Sequence, residues 1–336
     1  MSILTKAYWK SKNYIEAKLT VARNTEQVSL GCLSQREDKR DLGVFGLFET
    51  RPKYKSYTKS VPKWVHNQNP FNICTFDGTA IGYSLQEGIR FSVESLVGYG
   101  KRAGIITGNG FCYQRGPMDM AVKYGFLPYE LMPDEIRGRN WQEYSSFKMT
   151  PEMEAVARQY RPASYRRIGN ANEAVAAIEA GYVLITANDW YQGMNRPASP
   201  DYLLLRTGQY IGGHQWCVPG YRADGKIVTD WASHQSFGPN YGLKGLARIK
   251  NLFMKGQFDV YLMEKLVGRT DEQRALGTFD GYAVKSPKSS AVYYISGGEK
   301  HLIPNELIFK KRFGGIYYLL DQKLIDNLPE GTPIFE

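Results

Sequence analysis

A helix with a thiol in its first turn is the feature that most limits what this chain can become. Ile73, Phe76, Ala80 and Tyr83 step by three and four residues, one face of a helix running to about Gln86, with Asn72 placed to cap it. Cys74 falls in that first turn, where the positive end of the backbone dipole favours a thiolate. Gln68, six residues earlier, offers an amide that suits an oxyanion. On this helix alone a packing cysteine is the commoner role, so the chemistry has to be sought in the rest of the chain.

Further helices are predicted over 92–99, 118–124, 151–159 with proline in its first turn, and 172–180, capped by Asn172 and closed by Gly181. Strand-like pieces at 17–21 and 28–33 lie in an N-terminal arm or pro-like segment, 1–46. Residues 47–65 read as extended, because Arg51 and Val61 each precede a proline. Gly108 and Gly110 are no phosphate loop, since the Lys-Ser/Thr that would follow is missing. From Tyr182 the pattern turns to β: strands at 182–187, 213–221, 226–231, 246–249 and 257–263, with a hairpin turn at Asp224-Gly225. A main domain thus spans 47–264, a polar linker 265–276, and a small module 277–336 with strands at 292–295 and 302–303 and a helical turn at 324–328.

A length of 336 residues suits one large domain, or one of roughly 200 residues with additions at its ends. No run of about 18 apolar residues occurs, and the first twenty carry scattered lysines, so neither a membrane span nor a cleavable secretion signal is expected. The expected location is cytoplasmic or virion-associated. Four cysteines, at 32, 74, 112 and 217, are too few and scattered for a disulfide framework, and without a CxxC pair no metal or other cofactor is expected. The net charge is +10, but basic residues are dispersed, 36–41 is balanced, and Lys310-Lys311-Arg312 is the one compact basic run. Nucleic acid is not indicated as a partner.

Far downstream of the thiol, Gly213-His214-Gln215-Trp216-Cys217-Val218-Pro219-Gly220-Tyr221 places a histidine on a strand. Gln235-Ser236-Phe237-Gly238-Pro239-Asn240-Tyr241-Gly242-Leu243-Lys244-Gly245-Leu246-Ala247-Arg248-Ile249 follows with glycines at fixed intervals. Together with the step from Gln68 to Cys74, with 91–97, and with Arg115-Gly116-Pro117-Met118-Asp119-Met120-Ala121, this order resembles the papain-like cysteine peptidase family. The resemblance covers roughly 47–263 and implies an α+β, two-lobed fold with a helical lobe and a β-barrel-like lobe. It implies peptide-bond hydrolysis through an acyl-enzyme, with Cys74 as nucleophile, His214 as acid and base, Gln235 orienting the imidazole and Gln68 in the oxyanion site. Arg115, Gly116 and Gly213 would line the cleft, and a peptide or protein would be the substrate.

This chain departs from the family at several positions. Phe71 and Tyr113 stand where the family has a disulfide, Thr75 replaces an aromatic residue, and Arg115 replaces a cleft glycine. The orienting asparagine is Gln235 and its shielding tryptophan is Phe237, while Asp230 competes for the orienting role. The alternative reading is a papain-like scaffold in a phage or virus particle, with 1–46 and 277–336 as surfaces for assembly partners. Residues 292–304 faintly resemble repeats of bacterial and phage surface proteins.

Overall fold

The computed structural model describes residues 29–33, 43–44, 52–58, 64–133, 139–146, 148–198, 200–253, 257–267, 282–296, 299–313, 317–319 and 322–334. Two short strands, β1 (Cys32–Leu33) and β2 (Tyr57–Thr58), precede a helical half. This half consists of α1 (Cys74–Glu87), α2 (Val93–Arg102), β3 (Cys112–Tyr113), α3 (Arg115–Tyr124), α4 (Trp141–Ser145) and α5 (Pro151–Gln159). The chain then turns to β4 (Tyr165–Ile168), α6 (Ala171–Glu179), β5 (Leu184–Tyr191), β6 (Tyr210–Ala223), β7 (Val228–His234), β8 (Leu246–Ile249) and β9 (Gln257–Met263). The last group is β10 (Ala283–Lys285), β11 (Val292–Ser296), β12 (Glu299–Ile303), α7 (Glu306–Phe313), β13 (Tyr318–Leu319) and α8 (Gln322–Asp326).

Every residue of α1 is buried, because the helix is the wall shared by the two halves. Its outer face packs Phe76, Ala80 and Tyr83 into the helical core with Leu96, Val97, Met118 and Phe126. The opposite face lies on β6, where glycine lets the two backbones meet: a Cβ at Gly78 would sit 3.2 Å from the Trp216 nitrogen. Buried side-chain amides tie the joint together. Gln215 Nε2 donates to the Thr75 carbonyl at 2.8 Å and to Thr79 Oγ1 at 2.9 Å, and Gln86 Nε2 to the Met263 carbonyl at 3.0 Å. The strand that carries His214 is thereby bolted to the helix that carries Cys74.

The main sheet runs β4-β9-β5-β6-β7-β8, antiparallel throughout, with β2 added on β6. It is an open path with β4 and β8 at its ends, so among the described residues the barrel-like lobe expected from the sequence is a sheet without closure. Pro219 has no N–H to give the ladder, and the pairing of β6 with β7 shifts between Cys217 and Gly220. β7 ends at His234 and delivers Gln235 to the cleft side. The last group forms a separate four-stranded sheet, β12-β11-β10-β13, around Val284, Ile295, Ile325 and Leu328.

Three local expectations need correction. The N-cap of α1 is Ile73, with no capping side chain, so Asn72 does not serve. α6 is capped by Asn170 instead of Asn172, its Oδ1 accepting from the Glu173 N–H at 3.0 Å. The basic run Lys310-Lys311-Arg312 forms the last turn of α7, a helix that its apolar spacing did not reveal; cations suit that end of the backbone dipole. The pieces at 17–21 and 36–41, and all of the linker beyond Val267, lie outside the described residues. Among the described residues no helix is long and apolar enough to cross a membrane.

Candidate functional site

Cys74 is the first residue of α1 and is fully buried. Its Sγ accepts the Gly31 N–H at 3.1 Å. Burial pushes the thiol up to about 12 and the nearby Asp77 carboxylate adds to this, while backbone N–H groups of Gln215, Gly31 and Cys32 pull it partly back. His214 lies on β6, next in sequence to the Gln215 that binds α1. Its Nε2 is 2.8 Å from Gln235 Oε1. Gln235 Nε2 donates to Ser233 Oγ, so the amide oxygen faces the ring and the imidazole Nε2 carries the proton. Nδ1 then keeps a lone pair, buried and without a hydrogen-bond partner. Burial holds His214 down at about 3, with Gln235 a smaller opposing influence. Thiol and imidazole are therefore both neutral in this arrangement.

The extra methylene of Gln235 is absorbed by its backbone and by the ring's packing. Its N–H donates to the Gly245 carbonyl at 2.8 Å, across a loop that turns through positive φ at Gly242 and Gly245. A Cβ at Gly242 would lie 2.1 Å from the Leu246 carbonyl oxygen, which accounts for the glycine spacing of this stretch. Phe237 stacks on the imidazole at 4.5 Å and Trp190 meets its edge at 4.7 Å, so aromatic shielding persists without the family's tryptophan at 237. Trp190 was not singled out from sequence; its cross-strand place opposite Gly212, two residues from His214, was the available signal. Asp230 is elsewhere. It binds Arg222 Nε and Arg248 Nη1, each at 2.8 Å, and the competition for His214 goes to Gln235.

Gln68 is held by its own N–H on the Ser236 carbonyl at 2.9 Å, and its Oε1 accepts from Ser236 Oγ. Its Nε2 is thus committed as a donor, and the group it meets at 2.5 Å is the carbonyl of Ser29. Residues 29–33 run across the site as an extended peptide. Ser29 N–H donates to Asn69 Oδ1 at 2.9 Å, the Gly31 carbonyl accepts from the Cys112 N–H at 3.0 Å, and β1 pairs parallel with β3. Leu30 is buried in the core that holds Trp190 and Ile211, and Cys32 packs with Cys74, Ala187 and Phe258.

Gly213 makes this approach possible, since a Cβ there would lie 2.2 Å from the Cys32 carbonyl oxygen. Arg115 and Gly116 open α3, and a Cβ at Gly116 would press within 2.6 Å of Cys112 Sγ. The backbone edge that holds the peptide is β3, ahead of both. At the family's disulfide positions, Phe71 packs on Trp141 and Tyr144, while Tyr113 is exposed. All four cysteines are free thiols. Among the described residues no three His, Cys, Asp or Glu side chains converge as a metal site would need.

No family model matches the chain, and no curated protein matches it in sequence. The fold, in contrast, is that of the papain-like cysteine proteases. Xylellain, a cysteine protease from Xylella fastidiosa, superimposes with a TM-score of 0.56 at 16% identity, over 71% of this chain and 97% of its own. Procathepsin B S9 from Trypanosoma congolense does so with a TM-score of 0.52 at 14% identity, over 70% of this chain and 84% of its own.

Proposed function

We propose that the chain is a papain-like thiol peptidase whose N-terminal segment occupies its own cleft. One observation carries the reading: a peptide carbonyl sits on the Gln68 amide while an N–H two residues on sits on the Cys74 sulfur. A cleft that takes a backbone in this way is built to present a peptide to a nucleophile. With the segment displaced and water admitted, the desolvation that keeps both groups neutral is relieved, and His214 Nδ1 takes the thiol proton. The thiolate attacks a substrate carbonyl carbon, and the new oxyanion is met by the Gln68 amide and a backbone N–H at the start of α1. The imidazolium passes its proton to the leaving amine as the C–N bond breaks, and water, activated by the same imidazole, hydrolyses the thioester.

Labelling with a thiol-directed epoxide tests this reading. The expected result is one modified residue, Cys74, with labelling abolished by Cys74→Ala in a folded chain; labelling that persists in the variant refutes the assignment. The second reading, a scaffold within a phage or virus particle, is favoured by the complete burial of Cys74 and His214. Stable incorporation into an assembly together with no peptide turnover would decide for it.

A further inference from the structure

Gln68 has to hold its amide at a fixed place relative to Cys74, although it sits in the loop ahead of the helix that Cys74 begins. Its loop is hung on the stretch beyond β7: Asn67 bridges to Phe237, the Gly238 N–H donates to the His66 carbonyl at 3.0 Å, and Gln68 N–H binds the Ser236 carbonyl. That stretch also carries Gln235, so the loop is registered to the imidazole. Its side-chain joint to the thiol's helix lies two residues before Gln68. There His66 Nδ1 meets Asp77 Oδ1, and the two side chains are 7% and 0% exposed. Asp77 stands three residues after Cys74, in the same first turn of α1.

A buried His–Asp contact is a poor way to gain stability, because desolvating both groups offsets most of their attraction. Apolar residues would pack the same joint at lower cost. What the pair does supply is a fixed separation, since a close polar contact between two buried side chains holds a distance where apolar contacts slide. We propose that His66 and Asp77 are positioning residues for the oxyanion donor, clamping the Gln68 loop to the nucleophile's helix so that the amide meets the carbonyl presented to Cys74. The pair's positioning action runs through Gln68; Asp77 also raises the nearby thiol through its charge, which His66→Ala leaves in place. The inference rests on the thiol peptidase reading above.

The test uses the full chain carrying Leu30→Asp, which removes the apolar anchor of the cleft segment and leaves the reacting groups intact. Two rates are measured: turnover of a peptide substrate, and alkylation of Cys74 by iodoacetamide, a displacement at carbon that builds no oxyanion. His66→Ala and Asp77→Asn should each lower kcat by about 10- to 100-fold, toward the level of Gln68→Ala, with KM within about twofold. Alkylation should stay within about twofold for His66→Ala, whereas Asp77→Asn, which removes a charge that raises the thiol, should speed it and not slow it. Combining His66→Ala with Gln68→Ala should cost nothing further, since the clamp's effect on turnover runs through that amide. Should the truncated variants fail to fold, His66→Gln with Asp77→Asn, an uncharged pair able to hydrogen-bond, should keep kcat within about tenfold of the parent. Unchanged kcat, or losses that multiply with that of Gln68→Ala, would overturn the inference while alkylation and parental turnover still uphold the reading beneath it. A parent that neither alkylates nor turns over removes that reading, and this inference with it.

Discussion

Gln235 holds its amide oxygen on the His214 ring, with Ser233 accepting from its nitrogen and Gly245 binding its backbone. Gln235→Ala should therefore lower kcat/KM by about 10- to 1000-fold through loss of the imidazole tautomer and orientation, measured in a chain freed of its cleft segment. Asp230→Asn gives the contrasting result. It leaves Arg222 and Arg248 without their shared carboxylate, so Tm should fall while kcat is unchanged. The residue-level reading from sequence reached Gln235 through the resemblance of 235–249 to the family's pattern, whose glycines at 238, 242 and 245 form the loop seen here. It did not reach Trp190 or His66, whose roles depend on what a distant strand or helix sets beside them. A lone tryptophan on a strand, or a histidine before a turn, carries no mark of that neighbour.

At the level of elements, the cleft segment is the lever. Leu30 contributes about 2 kcal/mol of apolar burial, and an aspartate in its place would put a charge among Trp190 and Ile211. Leu30→Asp should accelerate Cys74 alkylation by about 100-fold or more near pH 7. The pH profile checks the cause: with the segment seated, a thiol held at about 12 yields little thiolate, and reactivity should climb with pH up to the highest values tested. With it gone, reactivity should level off well below that. Equal profiles for the two chains would show that the segment does not control the thiol. The helices and strands around the site were legible as periodicity, α1 above all, since its outer face steps by three and four. The course of 29–33 was legible only as a short extended piece. Its place in the cleft comes from gaps left by Gly212 and Gly213, which a linear pattern does not reveal.

For the whole molecule, burial of neutral histidines sets a limit in acid. His214 and His234 are fully buried and held at about 3 and about 4, below the ordinary value of 6.5. The unfolded chain takes up these protons near pH 6.5 and the folded chain does not. The stability they confer is present above pH 6.5 and lost as the pH falls toward 4, on the order of a few kcal/mol for the pair. Asp77, pushed upward by burial, works in the opposite sense from about pH 4 upward. Tm should thus fall steadily from pH 7 to pH 4, and His234→Gln should flatten that slope; a Tm that holds or rises on acidification would contradict it. The change from helices to strands was legible because helical spacing gives way to alternation near Tyr182, while the two-lobed arrangement came only with the family resemblance. The sheet's open path depends on long-range pairing of β4 with β9, which no local pattern records.

The central claim is that Cys74, His214, Gln235 and Gln68 form a working acyl-transfer site once the cleft is open. Turnover of a fluorogenic peptide library by the Leu30→Asp chain, beside the same chain with Cys74→Ala, tests it most directly. The account predicts cleavage by the first and none by the second. No cleavage of any peptide by the first, with Cys74 accessible to alkylation, would contradict it.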